Sequence, residues 1–156
     1  MAGQVSASDW FIAKLNSTGG SIWNRTYNPG GTDIRGITID RTKTNIYVTG
    51  WQSVTFRLQK INITGYSIWN KTFNTGAGPD FGRDVAVDYY NNVYVVIEDD
   101  DVDFGIRKFS AAGVSLWNNT YNPGGTDRAI DIAIDTSQNM YVVGDQSDSN
   151  IFIMKF

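Results

Sequence analysis

Short apolar stretches recur along the whole chain and are separated by polar segments rich in Gly, Asn, Asp, Ser and Thr. Residues 54–61 and 83–88 are examples. Short apolar runs bounded by turn-forming residues are typical of β-strands, whereas an amphipathic helix would show apolar residues every three to four positions. The pattern therefore predicts an all-β chain.

One of these stretches occurs three times, as Ser-Ile/Leu-Trp-Asn-x-Thr-Tyr/Phe-Asn. Its tryptophan and a later tyrosine recur with spacings of 46 to 48 residues. The six residues are Trp23, Trp69, Trp117, Tyr47, Tyr94 and Tyr141. A repeat of this length without a helical pattern is typical of β-propeller blades.

Each repeat contains four predicted strands, which we name A to D in the order expected from the inside of a propeller outwards. The lysines of the C strands, Lys14, Lys60, Lys108 and Lys155, align the copies. The alignment assigns 9–156 to the repeat, with strands C and D in 9–28, blades in 33–74 and 80–122, and strands A, B and C in 127–156. Residues 1–8 are expected to be an N-terminal extension. Three blades per chain are predicted.

The motifs resemble a known family. The strand Phe-Ile-Ala-Lys-Leu-Asn, the tryptophan segment, the loop Gly-Gly-Thr-Asp, and the strands Gly-Ile-Thr-Ile-Asp and Asn-Ile-Tyr-Val-Thr-Gly are similar to the SBBP-type β-propeller repeat from Asp9 onwards. The resemblance implies four antiparallel strands per blade in a surface or secreted protein, and it implies no catalytic motif. The repeat name implies seven blades, whereas this chain has three.

The repeated aromatic residues are expected to pack between blades. A large side chain contributes about 1.5–3 kcal/mol when it is buried, and a repeated position favours a role in the core. For the tryptophans, stacking against a ligand is the alternative.

Three blades leave two apolar blade faces without a neighbour, and such faces associate. A second copy would close a six-bladed ring, so a homodimer is predicted; a larger or open assembly and an excerpt of a longer propeller are the alternatives. The junction blade would combine strands from two copies. One C strand, 9–15 or 151–156, would then be surplus, and the sequence does not show which one is displaced.

Composition excludes several functional classes. The chain is 41% hydrophobic and 19% charged, with a net charge of −3 and neither cysteine nor histidine. A nucleic-acid partner is not expected without a basic surface, and disulfides, thiol chemistry, histidine catalysis and most zinc sites are excluded. No apolar run is long enough for a membrane span, and no signal peptide is recognisable in the chain. No cofactor is expected, Ca²⁺ excepted.

Five Asn-x-Ser/Thr sequons suggest glycosylation and an extracellular or cell-surface location. They are Asn16, Asn24, Asn62, Asn70 and Asn118. The plainer explanation is that Asn, Ser and Thr are abundant and that three of the sequons belong to the repeat.

One acidic loop breaks the repeat, with carboxylates at Glu98, Asp99, Asp100, Asp101 and Asp103. Carboxylates at this density repel one another unless they are solvated or bridged by a cation, and oxygen ligands suit Ca²⁺. The loop lacks the spacing of an EF-hand, so a solvated loop is the alternative to a Ca²⁺ site.

Two further acids, Asp84 and Asp131 on strands A, are candidates for a central channel, although Gly36 occupies the matching place in the first copy.

The sequence therefore predicts a non-catalytic scaffold or interaction module that self-assembles through composite blades and strand donation. Its other ligand would be a protein or a glycan of unknown identity. The alternatives are a subunit of a filament or ring, a glycan- or Ca²⁺-binding propeller, and a glycosidase or lyase that uses paired carboxylates.

Overall fold

The computed structural model describes residues 2–4, 9–28, 33–74, 78–99, 103–122, 127–146 and 150–156, with the backbone alone for 2–4 and Asp99. In these residues the regular structure consists of fourteen β-strands, and no helix occurs. The strands are β1 Ala2–Gln4, β2 Trp10–Leu15, β3 Ser21–Tyr27, β4 Asp33–Ile39, β5 Asn45–Gln52, β6 Thr55–Asn62, β7 Ser67–Phe73, β8 Asp80–Val87, β9 Val93–Asp99, β10 Asp103–Phe109, β11 Ser115–Tyr121, β12 Asp127–Ile134, β13 Met140–Gln146 and β14 Asn150–Lys155. In this part of the chain we find no helix long and apolar enough to cross a membrane.

The strands form four antiparallel sheets in chain order. Sheet I is β1-β2-β3, sheet II is β4-β5-β6-β7, sheet III is β8-β9-β10-β11 and sheet IV is β12-β13-β14. Sheets II and III each hold strands A to D, whereas sheet IV ends at strand C. The predictions of an all-β chain and of blade-like antiparallel sheets are confirmed.

Successive sheets stack face to face, and their A strands are neighbours, since β4 contacts β8 and β8 contacts β12. Between sheets II and III, Phe56 and Leu58 are fully buried against Val95 and Ile97. Between sheets III and IV, the equivalent residues of sheet III form a second apolar cluster with residues of sheet IV. Each sheet therefore has a leading face, which covers the next sheet, and a trailing face, which is covered by the preceding one.

Each A strand carries a β-bulge at the same place. The register shifts between Ile34 and Gly36 in β4, between Gly82 and Asp84 in β8, and between Ala129 and Asp131 in β12. The bulge fixes the equivalence of Gly36, Asp84 and Asp131 across the sheets. It also bends the innermost strand where the sheets converge.

The turns between strands A and B are held by a buried or half-buried aspartate. The carboxylate of Asp88 accepts hydrogen bonds from the backbone N–H groups of Tyr90 and Asn92, from the Asn92 side-chain amide and from the Tyr94 hydroxyl. Asp40 and Asp135 hold the equivalent turns. The sequence signal is an aspartate followed four or five residues later by asparagine, once in each of three repeats, and our reading of the sequence missed it.

Strand β1 lies inside the segment 1–8. It pairs with β2 through Ala2–Ile12, Gly3–Phe11 and Gln4–Trp10. In sheet IV, strand β13 pairs with β14 through Val143–Ile153, Gly144–Phe152 and Asp145–Ile151. Because β1 pairs with the C strand on the side away from β3, it occupies the position of the last residues of a B strand.

Candidate functional site

An apolar cleft opens between sheets I and II. It has a volume of about 580 Å³ and is lined by Ile12, Lys14, Trp23, Ile37, Ile39 and Ile46, among others. Ile37 and Ile39 on β4 are 42% and 46% exposed. Two isoleucines of an innermost strand are thus open to solvent on one side.

The reason is the missing inner part of sheet I. The residues equivalent to Ile37 in the next sheets, Val85 and Ile132, are 3% and 5% exposed because the A and B strands of the preceding sheet cover them. In sheet I the described residues place only β1 at position B and nothing at position A. The cleft lies where the A and B strands of the preceding sheet cover the next one elsewhere in the chain.

The opposite end of the stack exposes the leading face of sheet IV. Ile151 and Ile153 on β14 are 78% and 75% exposed, whereas Phe104 and Ile106, the equivalent residues of sheet III, are fully buried. A shallow depression of about 120 Å³ on this face is lined by Asp131, Ala133, Tyr141, Val142, Val143 and Ile153. The two ends are complementary in shape. Sheet II presents the exposed Ile37 and Ile39, and sheet IV presents a depression beside the small side chain of Ala133.

The tryptophans of the first two D strands, β3 and β7, contact the next sheet. The indole N–H of Trp23 donates to the backbone oxygen of Ile63 at 3.0 Å, and that of Trp69 donates to Ala111 O at 3.3 Å. Trp69 also packs against Tyr47, with ring centroids 6.0 Å apart, and Trp117 meets Tyr94 at 5.9 Å. Tyr141 is half-buried, and its hydroxyl donates to Asp135.

The sequon asparagines fall into two groups. Asn16 and Asn62 accept hydrogen bonds from the threonine two residues later and from the backbone N–H four residues later, so their side chains hold the turn between strands C and D. Asn24, Asn70 and Asn118 are exposed on the D strands. Glycosylation stays a prediction.

The acidic loop is only partly within the described residues, because Asp100 and Asp101 lie outside them and Asp99 is described by its backbone. Asp99 pairs with Asp103 across the strands. Among the described residues no group of three or more acidic side chains is arranged to hold a metal ion. The Ca²⁺ site therefore stays a prediction.

Glu98 at the start of this loop is fully buried and ion-paired. Its Oε1 lies 3.1 Å from Nε of Arg128 in sheet IV, and its Oε2 pairs with Arg83 of its own sheet. A buried carboxylate between two guanidinium groups links sheets III and IV. Our reading of the sequence took Glu98 as a loop acid, since nothing local in the sequence places Arg128 beside it.

The carboxyl groups of Asp84 and Asp131 meet where the A strands converge. Asp84 is hydrogen-bonded to Asp131, and its Oδ2 accepts the N–H of Ile132 at 3.1 Å. Desolvation by burial, followed by the hydrogen bond to Asp131, raises the pKa of Asp84 to about 7. A Cβ at Gly36 would lie 2.6 Å from the Asp84 carboxyl oxygen, so the glycine makes room for this acid.

The shifted pKa predicts a pH-dependent stability. Because the folded pKa of Asp84 lies above its ordinary value of 3.8, its stabilising contribution is fully present below about pH 4 and is lost as the pH rises through about 7. We expect Asp84→Asn to raise the free energy of unfolding at pH 8 by about 1–2 kcal/mol, after allowance for partial exposure, and to change little at pH 4. Urea unfolding at both pH values measures this. Parallel pH profiles for the variant and the unmodified chain would contradict it.

The geometry has counterparts among solved structures. A crystal structure of a protein of unknown function from Bacteroides caccae aligns with 99% of this chain and 59% of its own, with a TM-score of 0.60 and 16% identity. A chain in the crystal structure of a nidogen–laminin complex aligns over 96% of this chain and 56% of its own, with a TM-score of 0.60 and 15% identity. This chain thus spans less than two thirds of either structure.

No protein-family model and no curated protein matches the sequence. At these identities the structural likenesses concern the fold alone. Together with the four stacked sheets, they support a β-propeller-like all-β fold.

Proposed function

We propose that this chain is a non-catalytic propeller module of the SBBP type, which completes its ring with a second copy and serves as a scaffold or interaction unit. The observation that carries the proposal is the pair of uncovered faces. Sheet II exposes Ile37 and Ile39 beside an apolar cleft, and sheet IV exposes the leading face that covers such residues elsewhere in the chain. Burial of both would remove apolar surface from water.

The interfaces inside the chain supply the pattern for the new contact. Ala86 and Tyr94 of sheet III cover Ile132 of sheet IV. The equivalents on sheet IV are Ala133 and Tyr141, which border the depression on its leading face. Placed before sheet II of a second copy, they would cover Ile37 in the same way.

The described acids support a structural role over a catalytic one. Asp40, Asp88 and Asp135 hold turns, and Glu98 is buried between arginines. Asp84 and Asp131 are hydrogen-bonded to each other, whereas a glycosidase needs its two carboxyls about 5 Å or more apart with the sugar between them. An extracellular location with a protein or glycan ligand remains part of this proposal and is motivated by the sequons.

Light scattering coupled to size-exclusion chromatography tests the assembly. We expect a mass of twice 17.3 kDa for the chain and the monomer mass for an Ile37→Asp/Ile39→Asp variant, because two carboxylates cannot be buried in the cleft. Ile68→Asp is the matched control. It lies on a strand that already has sheets on both sides, and it is still 50% exposed.

A monomer of the unmodified chain at high concentration would contradict the proposal. So would equal masses for the Ile37→Asp/Ile39→Asp variant and the unmodified chain.

A further inference from the structure

The two ends of the chain carry the same segment of the repeat. In register, Ala2, Gly3 and Gln4 opposite β2 correspond to Val143, Gly144 and Asp145 opposite β14. Residues 2–4 and 10–15 therefore match residues 143–145 and 151–156 position by position, at a constant offset of three repeats. A blade shared by two copies has one place for a C strand and two strands that fit it, β2 and β14.

The lysines of the C strands outnumber the tyrosines of the B strands by one. In each pair the lysine Nζ lies over the tyrosine ring opposite it. The pairs are Lys60–Tyr47 at 5.3 Å, Lys108–Tyr94 at 5.0 Å and Lys155–Tyr141 at 5.6 Å from the centroid. The described residues place no tyrosine opposite Lys14 on β2, because β1 pairs only with residues 10–12. Two lysines, Lys14 and Lys155, are thus candidates for the ring of Tyr141.

Burial decides which strand keeps its place. The leading face of β2 is covered by sheet II, with Trp10 and Ile12 at 0% and 1% exposure. The leading face of β14 is open, with Ile151 and Ile153 mostly exposed. If β14 kept its place in a shared blade that precedes sheet II, Trp10 and Ile12 of β2 would lose their contacts with sheet II. If β2 keeps its place, no contact of a leading face is lost, because the leading face of β14 is exposed.

Exchange of the trailing faces keeps the aromatic stack on Phe104, whereas Leu15 would take the place of Phe156, whose ring centroid lies 4.9 Å from that of Tyr121. Phe152 on β14 stacks on Phe104 of sheet III with ring centroids 5.0 Å apart. Phe11 on β2 is the equivalent residue and lies on the face of sheet I that has no sheet before it. A partner's Phe11 can therefore take the place of Phe152 against Phe104.

We infer that β14 is a replaceable strand, and that in the assembled ring the β2 of a second copy displaces it from β13 and sets Lys14 opposite Tyr141. Strand β1 leaves at the same time, because the partner's Val143–Asp145 segment takes its place beside β2. The shared blade then consists of β12 and β13 from one copy and β2 and β3 from the other. This inference rests on the proposed assembly and specifies which strands of the two copies pair and in which register.

Cross-linking between separate chains tests the register. Because the sequence contains no cysteine, only the introduced residues can form a disulfide. A chain with Lys14→Cys is mixed with a chain with Tyr141→Cys and oxidised, since residues opposite each other in antiparallel strands are within disulfide distance. We expect a cross-linked dimer on non-reducing electrophoresis, in at least tenfold excess over a control with Val142→Cys, whose side chain points to the other face. A dimer by light scattering that gives no such excess would overturn the exchange and leave the assembly intact.

A locked chain supplies the second measurement. Val143 and Ile153 lie opposite each other on β13 and β14, so Val143→Cys/Ile153→Cys can tie β14 down. We expect the oxidised variant to be monomeric and the same variant to dimerise after reduction. The equivalent Thr49→Cys/Leu58→Cys bridge within sheet II should dimerise in both states. An oxidised Val143–Ile153 variant that dimerises as well as its reduced form would overturn the inference, and monomers in every sample would overturn the assembly itself.

Discussion

Replacing Phe56 by alanine is expected to lower the free energy of unfolding by about 3–5 kcal/mol. The Phe56 ring is fully buried between sheets II and III, stacked on Phe73 with centroids 5.1 Å apart and met edge-on by Phe109 at 6.3 Å. The cavity left by its removal would lie in a rigid face-to-face interface with little scope for collapse. Urea unfolding should show a lower midpoint with an unchanged slope.

Ile151→Ala is the matched control, because Ile151 occupies the same position of the repeat and is 78% exposed. We expect a change within about 0.5 kcal/mol, as for other surface substitutions. Since β14 leaves the blade in the proposed ring, Ile151 stays exposed there as well. Similar losses for Phe56→Ala and Ile151→Ala would contradict the stacking of the sheets.

Glu98→Ala is expected to cost about 3–5 kcal/mol, because it removes the partner of two guanidinium groups in a buried ion pair. Arg83 belongs to the same sheet as Glu98 and Arg128 to the next, so the substitution also loosens the joint between sheets III and IV. Glu98→Gln preserves the shape of the side chain and separates the loss of charge from the loss of volume. Thermal unfolding of both variants measures the effect.

The control is Asp145→Ala. Asp145 occupies the position in sheet IV that Glu98 occupies in sheet III, since each lies on strand B opposite the second residue of strand A. Unlike Glu98, Asp145 is only half-buried. Its replacement should change stability by no more than about 0.5 kcal/mol. If Glu98→Ala were as mild as Asp145→Ala, the buried ion pair would have no role in stability.

The repeat made the sheets predictable. Trp69 and Tyr47 recur at a fixed spacing, and a position that recurs in every blade meets the same neighbours, so one local pattern specifies strand, sheet and stacking together. Sheet II and sheet III follow from it directly. The contacts of Trp69 with Tyr47 and with the Ala111 carbonyl lie on the face that the repeat assigns to the next blade.

Features that depend on single positions could not be predicted from the repeat. The segment 1–8 contains the strand β1, in which Gly3 occupies the place of Gly144, but three residues are too few to show a period. The partner of Glu98 in the next sheet is Arg128, 30 residues later in the chain. The equivalent residues of the other sheets are Asp33 and Phe81, so the repeat does not predict an arginine at that place. Long-range contacts that occur once leave no trace in local patterning.

The turns between strands A and B give the stack a direction. Asn91 has a positive φ of 64° and accepts the N–H of Arg41 in the sheet before it, and Gln138, at 71°, accepts the N–H of Tyr89. The equivalent residue in front of sheet II is Lys43, at 57°. An ammonium group cannot accept a hydrogen bond. The seam ahead of sheet II therefore lacks this hydrogen bond, and a toroid closed at that seam would have one inter-sheet hydrogen bond fewer there than at the seams within the chain.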